Sequence, residues 1–184
     1  MWISRFFGHL KTVIRHRHAV IRYCFRAGIG WQGLTHDLSK FSPTEFWPGV
    51  RYYTNGRKSP NEAERAANGF SRAWMHHKGR NRHHFEYWQD YDPVTHRMAP
   101  VPMPARYVAE MFCDRVAASR IYLGREYTDA APLAYFERGH AALMMTPQTA
   151  ETLARFLRML AQEGEQKTLR ALKAWQKAER KKGN

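Results

Sequence analysis

Thr35-His36-Asp37-Leu38-Ser39-Lys40-Phe41 is the stretch around which the rest of the chain is read. An adjacent histidine and aspartate bring a neutral imidazole and a carboxylate within reach of one ion, and Lys40 is spaced to face an anion held by that ion. By itself the pair equally describes a helix end with an aspartate in a local cap. The balance shifts because further ligand types flank it: His16 and His18 before, His76, His77, His83 and His84 after, and Asp114 on a later helix. Together these are read as one metal site.

Upstream, Ile3, Phe6, Phe7, Leu10, Val13, Ile14, Val20, Ile21, Cys24 and Phe25 keep a helical comb that Gly28 and Gly30 end. His16 and His18 fall on opposite flanks of this stripe, so periodicity leaves open which of them turns inward. A short helix from Trp31 is expected to end in the His-Asp pair. Ser42-Pro43-Thr44-Glu45 then reads as an N-cap, a proline at the first helical position and a capping-box glutamate. Ser59-Pro60-Asn61-Glu62 repeats the signature and predicts one helix through Ala66, Phe70 and Trp74 to His77.

The segment from His76 to Trp88 is rich in imidazoles. An unbroken helix would set His77 and His84 on one face two turns apart, suited to neighbouring ions, while Gly79 and Asn81 mark an equally good break. Pro93, Pro100, Pro102 and Pro104 predict an irregular segment packed over the site, with no regular element. Pro104 opens a helix carrying Tyr107, Met111, Asp114, Ala118 and Ile121, which Gly124 ends. A carboxylate on that apolar face needs a cation, either an arginine or a metal, and the His-Asp pair favours the metal.

Beyond it, Pro132 to Met144 is expected to form a short helix, and Thr146-Pro147 caps a helix with Leu153, Phe156, Leu157 and Leu160 that stops at Gly164. A last helix with Leu169, Leu172 and Trp175 runs into a basic tail. Strand signals are poor and no glycine-rich phosphate loop appears. The class is therefore all-α, with one helical domain over 1–164, a metal site between its helices, and a basic helix and tail over 165–184.

With 184 residues the chain is long enough for one domain. Lys plus Arg number 30 against 16 for Asp plus Glu, a formal charge of +14, which favours an anionic partner such as a phosphorylated metabolite, a nucleotide or nucleic acid. Cys24 and Cys113 are far apart and lack Cys-x-x-Cys spacing, which suggests neither a thiolate zinc site nor a disulfide framework and fits a reducing compartment. Arg5, Lys11, Arg15 and Arg17 interrupt the apolar start, leaving neither a signal-peptide core nor a transmembrane segment; a cytoplasmic protein is expected.

An early His, then His-Asp, then further His, then a late Asp on a helix resembles the HD superfamily of metal-dependent phosphohydrolases. More narrowly, His36-Asp-Leu-Ser-Lys-Phe41 with Asn81-Arg-His-His-Phe-Glu-Tyr-Trp88 is similar to a small uncharacterised family of HD-like proteins. The likeness runs from the first helix through Asp114. It implies His16 as the early ligand, His36 and Asp37 as the central pair, Asp114 as the closing carboxylate, and His77 with His83 or His84 as the extra histidines of dinuclear members. Lys40 resembles the lysine that contacts phosphate in the cyclic-dinucleotide hydrolases of the superfamily. The chain lacks their Gly-Tyr-Pro segment, so their substrate is not carried over.

The expected activity is metal-dependent hydrolysis of a nucleotide or other small phosphate ester. His16, His36, Asp37, His77, His83 and Asp114 are the expected ligands of one or two divalent ions, Mn, Fe, Co or Zn. Lys40 would neutralise developing charge, His84 would protonate the leaving oxygen, and Arg80, Asn81 and Arg82 would bind the anion. The alternatives are a di-iron oxygenase built on the same ligands and a basic nucleic-acid-binding module whose histidines are structural.

Overall fold

Helix α1 (Trp2–Arg26) buries His9, Val13, His16, Val20 and Tyr23 in alternating helical steps of four and three, so two histidines lie on its core stripe while His18 is exposed. The computed structural model describes residues 2–56 and 58–182. The remaining helices are α2 (Gly30–Thr35), α3 (Pro43–Arg51), α4 (Pro60–Asn68), α5 (Arg72–Arg80), α6 (Ala105–Leu123), α7 (Ala131–Arg138) and α8 (Pro147–Lys182). The described residues thus form an all-α domain in which one short hairpin is the only sheet.

Helix α6 is buried on nearly all sides through Val108, Ala109, Met111, Phe112, Cys113, Val116 and Ala117, the pattern of a central helix. It is packed between α1, which contributes Val20, Tyr23 and Cys24, and α8, which contributes Leu153, Leu157 and Leu160. Both cysteines are free thiols within this core. Gly164 breaks α8 with φ 78° and ψ 171°, and beyond the break Leu169 and Leu172 return to the same core.

Three sequence expectations are corrected. The helix expected from Pro132 to Met144 ends at Arg138, where Gly139 turns extended at φ −85° and ψ 147°, and a separate 3-10 turn covers His140–Met144. The helix expected from Pro60 to His77 is two helices: Gly69 ends α4 at φ 80°, and Ser71 opens α5 by accepting a hydrogen bond from the Trp74 amide at 3.0 Å. Phe70 is therefore exposed at a corner and does not share a face with Trp74 and His77. The proline-rich segment holds an antiparallel hairpin of β1 (Gln89–Asp92) and β2 (Arg97–Pro100). Its prolines lie in the turn and at the end of β2, and Asp92 Oδ1 accepts from the amides of Val94 and Thr95 at 2.8 and 3.2 Å to close the turn.

No helix among the described residues is long and apolar enough to cross a membrane.

Candidate metal centre

Gly33 decides how closely the His-Asp stretch approaches α1. A Cβ there would stand 2.7 Å from the Cys24 Cβ and 3.1 Å from the Ile21 Cα, so α2 reaches this depth only with glycine at the contact. Helix α2 ends at Thr35, one residue before the pair. His36 is extended, Asp37 takes φ 53° and ψ 29°, and the turn Leu38–Phe41 follows. A buried non-glycine residue in the left-handed region costs about 1–3 kcal/mol and persists only where its surroundings impose it. Here the Arg17 guanidinium donates to the carbonyls of His36 and Leu34, clamping the reversal from α1. The result points both side chains of the pair into the space between α1, α5 and α6.

Two groups of donor atoms meet there and share Asp37. In the first, His16, His36, Asp37 and Asp114 each bring one ligand atom, all within 4.8 Å of one another. His16 Nε2 is 3.0 Å from Asp114 Oδ1, and His36 Nε2 is 3.3 Å from Asp37 Oδ2 and 3.6 Å from Asp114 Oδ1. In the second, Asp37 meets His77, His83 and His84 under the same limit. Asp37 Oδ1 is 3.3 Å from His77 Nε2 and 3.5 Å from His83 Nε2. Asp37 is 1% exposed and His36 1%.

The donor set fits a cation. The Nε2 atoms of His16, His36, His83 and His84 and both carboxylate oxygens of Asp37 are buried, and none has a hydrogen-bond partner among the described residues. Buried polar atoms are ordinarily satisfied, and six that converge without partners mark a place where a positive ion would complete them. Lys40 Nζ lies 2.7 Å from Asp37 Oδ2 as an ion pair that lacks hydrogen-bond geometry.

A second layer turns the imidazoles. His36 Nδ1 lies 3.0 Å from Glu110 Oε1 and His83 Nδ1 3.3 Å from the same oxygen, while Gln32 Nε2 donates to the other carboxylate oxygen at 2.9 Å. His77 Nδ1 and His76 Nδ1 lie 2.7 and 2.6 Å from the two oxygens of Glu45. A carboxylate can only accept from Nδ1–H, so in neutral His36, His77 and His83 the Nε2 lone pair faces inward toward Asp37 and Asp114.

The protonation states follow from this arrangement. Burial works against the Asp37 and Asp114 anions, yet the surrounding histidines, with Lys40 for Asp37, hold both carboxyls well below the usual range. Burial also opposes the charged form of His36, and the Asp37, Asp114 and Glu110 carboxylates outweigh it, raising its pKa. His16 is lowered chiefly by burial, and His84 is lowered well below the ordinary value by burial with His83 and His77 beside it. Glu110 is driven to about 2 because its bonds to His36 and His83 overcome burial.

Each of the expected ligands His16, His36, Asp37, His77, His83 and Asp114 lies in one or both groups. His84, expected as the proton donor, is half-buried and lies in the second group, with a buried Nε2 that has no hydrogen-bond partner among the described residues. Lys40 sits at the edge of the site beside Asp37. Asn81 caps α5 and bonds Ser39 Oγ at 2.8 Å and the His77 carbonyl at 2.8 Å, which fixes the loop carrying His83. Arg80 and Arg82 point into a separate groove on the Glu110 side.

Glu110 and Glu45 belong to the site without being expected there. Glu110 lies one helical turn before Asp114, a spacing that puts two carboxylates on one face of α6. Glu45, expected as a capping-box residue, instead joins α3 to α5 through His76 and His77, and Ser42 makes no side-chain cap bond.

Fold and site thus define an all-α protein with a buried, carboxylate-bridged histidine cluster. The chain belongs to a family of unknown function, DUF5662, which matches residues 5–159 and so includes both donor groups. No curated protein and no solved structure matches it.

Proposed function

We propose that this chain is an HD-like metal-dependent phosphohydrolase acting on a nucleotide or another small phosphate ester. The observation that carries the proposal is the convergence of partnerless, buried nitrogen and oxygen atoms on Asp37. His16, His36, Asp37 and Asp114 would hold one ion, and Asp37, His77, His83 and His84 a second. Mixed imidazole and carboxylate donors suit Mn, Fe, Co or Zn. When bound, such an ion supplies Lewis acidity toward water and a phosphoryl oxygen. The order of these residues along the chain is what resembles the HD superfamily.

The protein's own groups have distinct tasks. Glu110 and Glu45 hold the imidazoles in the tautomer that presents Nε2. Lys40 and Asp114 are the more open members of the site, with side chains 29% and 18% exposed, so an anionic substrate meets the cluster along their edge. A charged lysine has no lone pair to give a metal, and its role is to offset negative charge on Asp37 or on the substrate.

Elemental analysis of the purified protein, followed by assays on bis(p-nitrophenyl) phosphate and nucleoside phosphates, tests the reading. Bound or readily acquired transition metal is expected, with turnover that Lys40→Ala abolishes while metal is retained. A chain that acquires none of the four metals on titration overturns it. The bridging carboxylate equally suits two irons, and oxygen-dependent colour change with iron and no phosphate release would assign the oxygenase reading instead.

A further inference from the structure

A groove of about 1000 Å³ lies against the back of the cluster, between α2, the end of α5, the start of α6 and the last turns of α8. Its floor includes His36, His83 and Glu110, whereas His16, Asp37, His77, His84 and Asp114 do not line it. The groove therefore meets the Nδ1 side of the imidazoles, opposite the Nε2 atoms that converge on Asp37. It is a different place from the substrate approach along Lys40 and Asp114.

We infer that this groove binds a nucleoside phosphate, independently of any metal at the cluster. Four arginines line it, Arg80, Arg82, Arg106 and Arg180, against two carboxylates, Glu110 and Glu179. Glu110 is already engaged by His36, His83 and Gln32, so the balance offered to a ligand is cationic. Guanidinium forks match phosphate oxygens, and several around one space suit a di- or triphosphate. Trp31 borders the same groove with 77% of its surface exposed, an aromatic face available to a base.

Gln176 is an independent observation. It is 2% exposed, lines the groove, and its Nε2 has no hydrogen-bond partner among the described residues. A buried amide donor in that position is completed by an acceptor on a ligand. Gln176 and Arg180, on the last turns of α8, lie beyond the residues 5–159 that the family matches. The volume is at the upper end of small-molecule sites, which favours a nucleotide over a nucleic-acid strand.

Calorimetric titration of the full chain, stripped of metal by chelation and dialysis, with ATP decides the matter. ATP is expected to bind, and R82A/R106A, both exposed positions, should weaken it by about tenfold or more, since a lost charge-assisted bond is worth at least that factor. R125A/R138A removes the same charge from exposed positions elsewhere and should leave ATP binding within about twofold. Gln176→Leu should also weaken ATP in protein that melts like the parent. Equal losses in the two arginine pairs, or no ATP binding at millimolar concentration, overturns the inference. Binding of a single-stranded oligoribonucleotide of about ten nucleotides without ATP binding does so as well, and would mark a nucleic-acid groove instead.

Discussion

Glu110 Oε1 stands 3.0 Å from Nδ1 of His36 at the point where α6 passes under the His-Asp turn, and the same oxygen reaches His83 Nδ1 at 3.3 Å. One carboxylate thereby sets the ring orientation in both donor groups, because His36 belongs to the first and His83 to the second. Glu110→Gln keeps the shape and the contact with Gln32 but removes the charge that favours Nδ1–H on both rings. Metal affinity, measured by competition with a chromogenic chelator, is expected to fall about 10–100-fold, the usual effect of losing an outer-shell partner. An unchanged affinity would remove Glu110 from the site.

Asp37 combines a chemical and a conformational demand. Its φ of 53° is tolerated by Asp and Asn and disfavoured by β-branched residues. Asp37→Asn is expected to fold while binding little metal, with a melting temperature below that of the metal-free parent because Lys40 and His36 lose a buried counter-charge. Asp37→Val should lose metal and also destabilise the fold by about 1–3 kcal/mol more than Asn does. Denaturant melts of the two variants check this, and equal stability would mean that the left-handed turn imposes no selection at position 37.

Gly33→Ala tests whether the site depends on the depth of α2. The added methyl meets the Cys24 Cβ at 2.7 Å and the Ile21 Cα at 3.1 Å, and backbone cannot rotate away as a flexible side chain would. Overpacking of this kind costs about 1–3 kcal/mol. Since α2 delivers His36, metal affinity should fall together with the melting temperature. A stable variant with weakened metal binding would show instead that α2 has simply shifted outward.

The helical comb of α1, the proline starts of α3 and α4, and the glycine ends at Gly28 and Gly124 were all legible because each rests on local backbone chemistry. The His-Asp pair with Asp114 was legible for a related reason: charge on an apolar face needs a partner. The choice of His16 over His18 was not, since both flank the stripe and only packing against α6 sends one inward. Glu45 was hidden because a capping box and a histidine-orienting carboxylate have the same local spacing. The apolar spacing of Phe70 with Trp74 masks the break at Gly69. The hairpin was masked by prolines whose harmless positions at the turn and strand end depend on register.

His9 supplies a pH dependence separate from the cluster. It lies on the buried stripe of α1 at 8% exposure, against Phe46 and beside Gly49, where a Cβ would run into its ring. Its Nδ1 has no hydrogen-bond partner among the described residues, and burial, aided by the Lys40 charge, lowers its pKa from 6.5 to about 4. The unfolded chain therefore binds this proton more readily than the folded one across that interval. Stability contributed by a neutral His9 is fully present above about pH 6.5 and is lost as the pH falls toward 4, with a slope of at most about 1.4 kcal/mol per pH unit. His9→Gln has no titrating group there. The variant is expected to be less stable than the parent at pH 7, because it loses the ring packing on Phe46. It should nevertheless lose less stability on acidification, so that the difference between the two metal-free proteins narrows from pH 7 to pH 4. The other histidines are common to both chains and cancel in that difference. Denaturant melts at half-unit pH steps measure it, and parallel curves would show that His9 takes up its proton equally well in the folded state.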